Sequence, residues 1–164
     1  MTSSSDPIAA NQKLHADPAL AEFTLEQSPF YLMTQATGLY TLVMERSLKA
    51  VGMDLPRWRV LMVLHEQSPS TVSEISRRSV MKLSTMTKVA QRLEKEGYVR
   101  LAPNKDDKRA TDVHLQTKGE EAVEVIREAA SQVYQQATRS ISDRDILLLN
   151  DLLTKLSDEL RRSA

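Results

Sequence analysis

The chain contains no cysteine, which removes disulfide frameworks, thiolate metal clusters, nucleophilic cysteine and thiol redox switching together. Aromatic residues make up only 4% of its 164 residues, and the four glycines are too scattered to form a phosphate-cradling loop. The longest strictly apolar run is Val60 to Leu64, too short to cross a bilayer. The opening Met1-Thr2-Ser3-Ser4-Ser5-Asp6 lacks the cationic and apolar regions of a secretion signal. These absences lead to the expectation of a cytoplasmic protein without a membrane partner. There is no H-E-x-x-H pair and no nucleophile elbow, and His15, His65 and His114 stand far apart. Neither a catalytic site nor a metal site is expected, and the chain does not read as an enzyme. A domain of this length buries roughly two thirds of its unfolded surface, so it needs neither metals nor crosslinks to hold a core.

What is present is unevenly placed. The 22 Lys plus Arg balance 22 Asp plus Glu, yet residues 70–118 hold 11 basic and six acidic residues, an excess of five positive charges. The remainder carries the opposite excess. A basic middle third between acidic flanks is the pattern of one lobe that faces a polyanion.

Residues 1–27 are polar, carry Pro7 and Pro18 and keep no sustained period, which predicts a flexible arm. After Ser28-Pro29, apolar residues recur at helical spacing from Phe30 to Val51 and end at Gly52, so 28–54 reads as a first long helix. Leu55-Pro56 opens a shorter helix that stops near Ser68-Pro69. Thr71 and Glu74 then have the spacing of a capping box before a short helix through Ile75 and Arg78. The turn Ser79-Val80-Met81-Lys82 leads into a longer helix with Met86, Val89, Ala90 and Leu93 on one face, ended by Gly97. From Tyr98 the period alternates. Tyr98–Ala102 and Thr111–Leu115 read as strands of a hairpin with a charged tip, and His114 should point away from its packed side. Residues 119–164 supply two more helices, one with Val123, Ile126, Ala130, Val133, Tyr134 and Ala137 on its apolar side. The last is capped by Ser142 and striped by Leu149, Leu152, Leu153, Leu156 and Leu160.

Short helix, turn, longer helix over Thr71–Gly97 has the proportions of a helix-turn-helix. A helix that enters a major groove needs an apolar face for its own core, short hydrogen-bonding side chains toward base edges, and cations for phosphate. The polar face here offers Lys82, Ser84, Thr85, Thr87, Lys88, Gln91 and Arg92. Asp107-Lys108-Arg109, then Val113-His114-Leu115 and Gly119, follow a D-x-R … V-x-L-T-x-x-G pattern. In these residues and in Ser84-Thr85-Met86-Thr87 … Arg92-Leu93-Glu94-Lys95-Glu96-Gly97, the chain resembles the MarR family of winged helix-turn-helix bacterial transcriptional regulators. The likeness extends over residues 28–162. One departure is Gln116, which stands where the family usually has Thr; Thr117 is expected to cap the next helix instead, one residue later.

The resemblance implies a mainly α fold with a small β-hairpin wing. Residues 55–118 would form the DNA-binding region, and the helices of 28–54 and 119–164 would be joined in dimerisation. It implies a homodimer that reads a pseudo-palindromic operator as a ligand-responsive repressor on the bacterial nucleoid. Arg109 is assigned to the minor groove, where negative potential concentrates, and Asp107 to positioning it; Lys105 and Lys108 are assigned to phosphate. Leu149, Leu152, Leu153, Leu156 and Leu160 are the expected dimer interface. A small anionic or phenolic effector is expected among Tyr40, Met44, Trp58, Arg59, Met62 and His65, with polarizable walls and a cation for a carboxylate; no other cofactor is implied. A different class of function, a winged-helix adaptor acting through protein contacts, is separable by the salt dependence of binding.

Overall fold

The computed structural model describes residues 15–163, so the first half of the expected arm lies outside the described residues. Two compact units divide the chain, residues 1–46 and 47–164. The first carries a 3-10 turn, Leu25–Gln27, and most of helix α1, Pro29–Ala50. Proline suits the first helical position because its missing N–H would be unpaired there anyway. α1 presents Phe30, Leu32, Leu39, Leu42 and Val43 to solvent, while Met44 and Leu48 are fully buried. The helix closes in a Schellman turn: Gly52 takes a left-handed φ of 74°, and Met53 N–H donates to the Leu48 carbonyl at 2.9 Å.

The second unit begins with α2, Leu55–Glu66, whose N-cap Asp54 accepts the Arg57 N–H at 2.9 Å. Strand β1, Ser70–Thr71, leads straight into α3, Val72–Arg78. Thr71 Oγ1 accepts the Glu74 N–H at 3.1 Å, as the capping-box spacing predicts, but the Glu74 carboxylate turns to Arg77 instead of closing the box. Helix α4, Leu83–Lys95, follows the turn, and Gly97 ends it with a φ of 80°. Strands β2, Val99–Pro103, and β3, Thr111–Leu115, are antiparallel with Val99 opposite Leu115, and β1 adds to β3 to give the order β1-β3-β2. The chain finishes with α5, Thr117–Thr138, and α6, Asp143–Ser163.

Leu61, Leu64, Ile75, Met86, Leu93, Val113, Val123 and Ile126 are all under 2% exposed and form one core beneath the sheet and helices. At about 1.5–3 kcal/mol for each side chain removed from water, this cluster is what holds α4 and the hairpin in register. By contrast none of the residues of α6 is buried.

The structure corrects two local expectations and adds one strand that carries no sequence signal. The strand β1 has no signature in two residues and is defined only by its partner, Ser70 opposite Val113. Thr117 does not cap α5; it is the first helical residue, and Gln116 holds the cap position without a side-chain bond. The cause lies in the backbone, since Gln116 N–H donates to the Tyr98 carbonyl at 3.0 Å and fixes the extended residue there. On α5 the expected apolar stripe is buried at Val123, Ile126 and Val133, but Tyr134 and Ala137 face solvent.

Candidate nucleic-acid interface

All ten residues that the sequence assigns to nucleic acid, namely Lys82, Ser84, Thr85, Thr87, Lys88, Arg92, Lys105, Asp107, Lys108 and Arg109, are exposed. They sit on two elements, the polar face of α4 and the tip of the β2–β3 hairpin. The helix faces outward because Met86, Ala90 and Leu93, spaced four and three apart, are buried on its other side. Thr87 and Arg109 meet in a cleft of about 210 Å³ between α4 and the hairpin, together with Ser73, Gln91, Leu101 and Thr111. Ser73 was not foreseen. It enters the cleft from α3, and only its place two residues after the cap Thr71 hints at an outward position.

Both ends of α4 are fixed by side chains. At its start, Ser76 Oγ donates to the Met81 carbonyl at 2.7 Å and Met81 N–H returns to the Ser76 carbonyl at 3.0 Å, clamping the turn. Within it Val80 is 90% exposed and has a φ of 52°, a left-handed conformation that β-branched residues avoid. At the far end a charged clasp ties α4 to the first turn of α2. Arg57 donates to Asp54 Oδ2 at 3.1 Å, to Glu96 Oε2 at 2.9 Å and to the Gly52 carbonyl at 2.9 Å. Arg92 donates to Glu96 Oε1 at 2.9 Å and to Asp54 Oδ2 at 3.3 Å. Lys118 Nζ reaches the Glu96 carbonyl at 2.7 Å and lies 4.6 Å above the Tyr98 ring; a cation suits the negative end of a helix. Burial works to raise the Glu96 pKa, but the hydrogen bonds from Arg92 and Arg57 win and hold it below the usual carboxylate value. Sequence reasoning missed this clasp, although Asp54 before Leu55-Pro56 is a legible N-cap. It also gives Arg92 a partner inside the protein.

At the wing tip Asp107 Oδ1 accepts the Arg109 backbone N–H at 2.9 Å. The carboxylate thus positions Arg109 through the main chain, and the guanidinium makes no ion pair among the described residues. On the outer face of the sheet Arg100 and His114 are directly opposed and line a separate open cleft of about 730 Å³, so His114 points away from the packed side.

The candidate effector residues belong to both units. In the first unit Tyr40 is exposed and Met44 is fully buried. In the second, Trp58, Arg59 and Met62 are half-buried on α2, and Trp58 Nε1 is buried with no hydrogen-bond partner among the described residues. His65 lines an open cleft with Glu66, Glu120, Glu121 and Glu124, of which Glu66 is paired with Arg78 and Glu124 with Arg127. No group of three or more His, Asp or Glu among the described residues is placed to hold a metal ion, and no helix among them is long and apolar enough to cross a membrane.

A helix-turn-helix whose second helix presents hydroxyls, amides and lysines beside an arginine-tipped hairpin defines a winged helix-turn-helix DNA-binding regulator. The sequence model of the MarR family matches residues 53–111. The HTH-type transcriptional repressor IacR of Pseudomonas putida is 38% identical over 152 residues, 93% of this chain and 90% of that protein. The chain therefore belongs to the MarR family, whose members are transcriptional regulators and not enzymes. Two solved structures share the fold at lower identity. A mutant MarR from E. coli in complex with operator DNA superimposes with a TM-score of 0.69 at 23% identity, covering 76% of this chain and 90% of its own. Bordetella bronchiseptica BpsR, whose DNA binding is regulated by 6-hydroxynicotinic acid, gives 0.70 at 19%, covering 77% and 96%.

Proposed function

We propose that the protein is a homodimeric repressor that binds a pseudo-palindromic operator near its own gene, in the bacterial cytoplasm, and leaves it when a small anionic or phenolic effector binds. The observation that carries the DNA reading is the cleft that brings Thr87 and Gln91 of α4 beside Arg109 of the wing. In this reading α4 meets base edges in the major groove, Arg109 enters the adjoining minor groove, and Lys82, Lys88, Lys105 and Lys108 hold phosphate. One such module reads few base pairs, and a two-fold partner supplies the rest.

Exposed apolar surface supports the dimer. Leu149, Leu152 and Leu160 on α6 are each about half exposed, at 47%, 53% and 51%, and Leu153 lies at 37%. Leu156, between them, is half-buried, and this many exposed leucines along one helix are uncommon on a monomer. With α1 and α5 this helix is assigned to the dimer interface, and residues 1–27 are assigned to an arm outside the DNA-binding region. The effector reading rests on α2, where the Trp58 indole N–H, without a partner among the described residues, offers a donor, Met62 a polarizable wall and Arg59 the cation for a carboxylate. BpsR, regulated by an aromatic acid, is the precedent. Effector binding acts as a population shift toward a spacing of the two α4 helices that cannot reach successive major grooves.

Titrating the purified protein against a duplex from immediately upstream of its gene, at several salt concentrations and beside a scrambled duplex, tests the proposal. Sequence-preferring binding with a steep fall in affinity as salt rises is expected. Salt-insensitive binding without sequence preference would replace it with a protein-binding adaptor.

A further inference from the structure

Between β2 and β3 the chain reverses over residues 104–110, and one half-buried residue organises the reversal. Asn104 Oδ1 accepts the N–H groups of Asp106 at 2.9 Å and Asp107 at 2.8 Å, while Asn104 Nδ2 donates to Asp112 Oδ1 at 2.8 Å. Its own backbone N–H donates to the Ala110 carbonyl at 3.0 Å, and Ala110 N–H donates to the Asp107 carbonyl at 2.9 Å. Asp107 then takes the Arg109 N–H. Two side chains therefore set the path of the tip in relay, Asn104 for its first half and Asp107 for its second.

The chemistry of position 104 is narrow. The two N–H groups demand an acceptor and the Asp112 carboxylate demands a donor, so only an amide serves both, and only in the orientation seen. An aspartate there would keep the two acceptor bonds but set a second carboxylate against Asp112. An alanine would release both halves. Asn104 and Asp112 are half-buried, whereas residues 105–109 are exposed, which separates an anchor from what it presents. They line the outer cleft with Arg100 and His114, not the α4–wing cleft that Arg109 lines.

We propose that Asn104, oriented by Asp112, is the positioning residue of the wing: it touches no base itself and fixes the direction in which Arg109 leaves the hairpin. The proposal rests on the reading of Arg109 given above. It deepens that reading by naming a residue pair whose charge pattern can be exchanged.

The test uses the full-length protein and a duplex that it recovers from a random-sequence pool. Five variants are compared: Arg109→Ala, Asn104→Ala, Asn104→Ala with Arg109→Ala, Asn104→Asp, and Asn104→Asp with Asp112→Asn. Asn104→Ala keeps the charge; losing its three side-chain hydrogen bonds should lower the thermal melt by a few degrees and weaken binding about tenfold, because the loosened tip must be ordered again on the DNA. Added to Arg109→Ala it should cost much less than it does alone, because most of its effect passes through that side chain and only the remainder through Lys105 and Lys108 on the same tip. Asn104→Asp alone should weaken binding at least as much. The exchange with Asp112→Asn, which returns one carboxylate and one amide with their places swapped, should restore affinity to within about twofold. Full additivity of Asn104→Ala with Arg109→Ala would overturn the proposal, as would an exchange that leaves the Asn104→Asp loss in place. If Arg109→Ala binds like the parent, the wing reading itself falls and takes the positioning role with it. Failure to recover any preferred sequence would overturn the operator reading first.

Discussion

Gly119 is the third residue of α5, where alanine should be the better helix former by about 1 kcal/mol. The structure reverses that sign. A Cβ built on Gly119 collides with the Tyr98 carbonyl oxygen and lies 2.6 Å from Leu115 Cδ1. The leucine can turn aside, but the carbonyl cannot, because it accepts the Gln116 N–H at 3.0 Å and so ties the end of β3 to the start of β2. Making room means sliding α5 off the sheet, at an overpacking cost of about 1–3 kcal/mol, and weakening that hydrogen bond for about 1 kcal/mol more. After the propensity gain, Gly119→Ala should destabilise the protein by about 1–3 kcal/mol. For a chain of this size each kcal/mol moves the melting temperature by about 2–4 °C, so a loss of about 2–12 °C is expected in thermal denaturation at matched protein concentration. A melting temperature equal to or above that of the parent would refute the close approach of α5 and β2 and leave helix propensity as the deciding effect.

Three further outcomes are expected. Val80→Gly removes a side chain that packs against little and frees a strained backbone, so stability should rise by about 0.5–1 kcal/mol after the extra unfolded-state freedom of glycine is deducted; a drop in the denaturant midpoint would refute the strain. Glu96→Gln should destabilise the protein at pH 7. Because the folded Glu96 pKa is lowered, its contribution is fully present above the ordinary carboxylate value, about 4.3, and is lost as the pH falls through the depressed value. The stability difference should therefore close in acid, and a difference constant from neutral to pH 3 would rule the clasp out. Leu153→Asp with Leu156→Asp should give monomers or insoluble protein in sedimentation, and a stable dimer would reject the α6 interface.

Most of the fold was legible because its signals are local. Gly52 and Gly97 stop helices through their own positive φ, Ser142 Oγ accepts the Asp145 N–H at 3.2 Å as its spacing predicts, and alternation located both long strands. Features set by distant partners were not legible. Two residues of β1 carry no period, and the Gln116 cap depends on the carbonyl of Tyr98, eighteen positions earlier. The same division runs through the site. The exposed face of α4 and the D-x-R tip are patterns within one element and were found. The clasp of Arg57 on Glu96 spans 39 residues, and the bond of Asn104 to Asp112 needs the hairpin closed before the two meet.

Ion pairing separates two kinds of cation within the basic excess of residues 70–118. Arg77 pairs with Glu74, Arg78 with Glu66, and Arg92 with Glu96 and Asp54. Lys82, Lys88, Lys105, Lys108 and Arg109 have no ion pair among the described residues, and all are exposed on α4 or the wing. A cation already engaged by a carboxylate gives up that partner to reach a phosphate, so its net gain is small; an unengaged one releases a counterion from the DNA at full effect. Lys88 and Arg92 make the comparison fair, since they stand one helical turn apart on α4. Lys88→Ala should weaken binding to all sequences alike and lower the slope of log affinity against log salt by about 0.9, one phosphate. Arg92→Ala should instead lower thermal stability by loosening the clasp, with the salt slope nearly kept. The outcome that would defeat this sorting is a slope lost with Arg92 and retained with Lys88: the clasp would then yield to the phosphate backbone on binding, and Arg92 would return to the DNA-contacting face to which its sequence position assigns it.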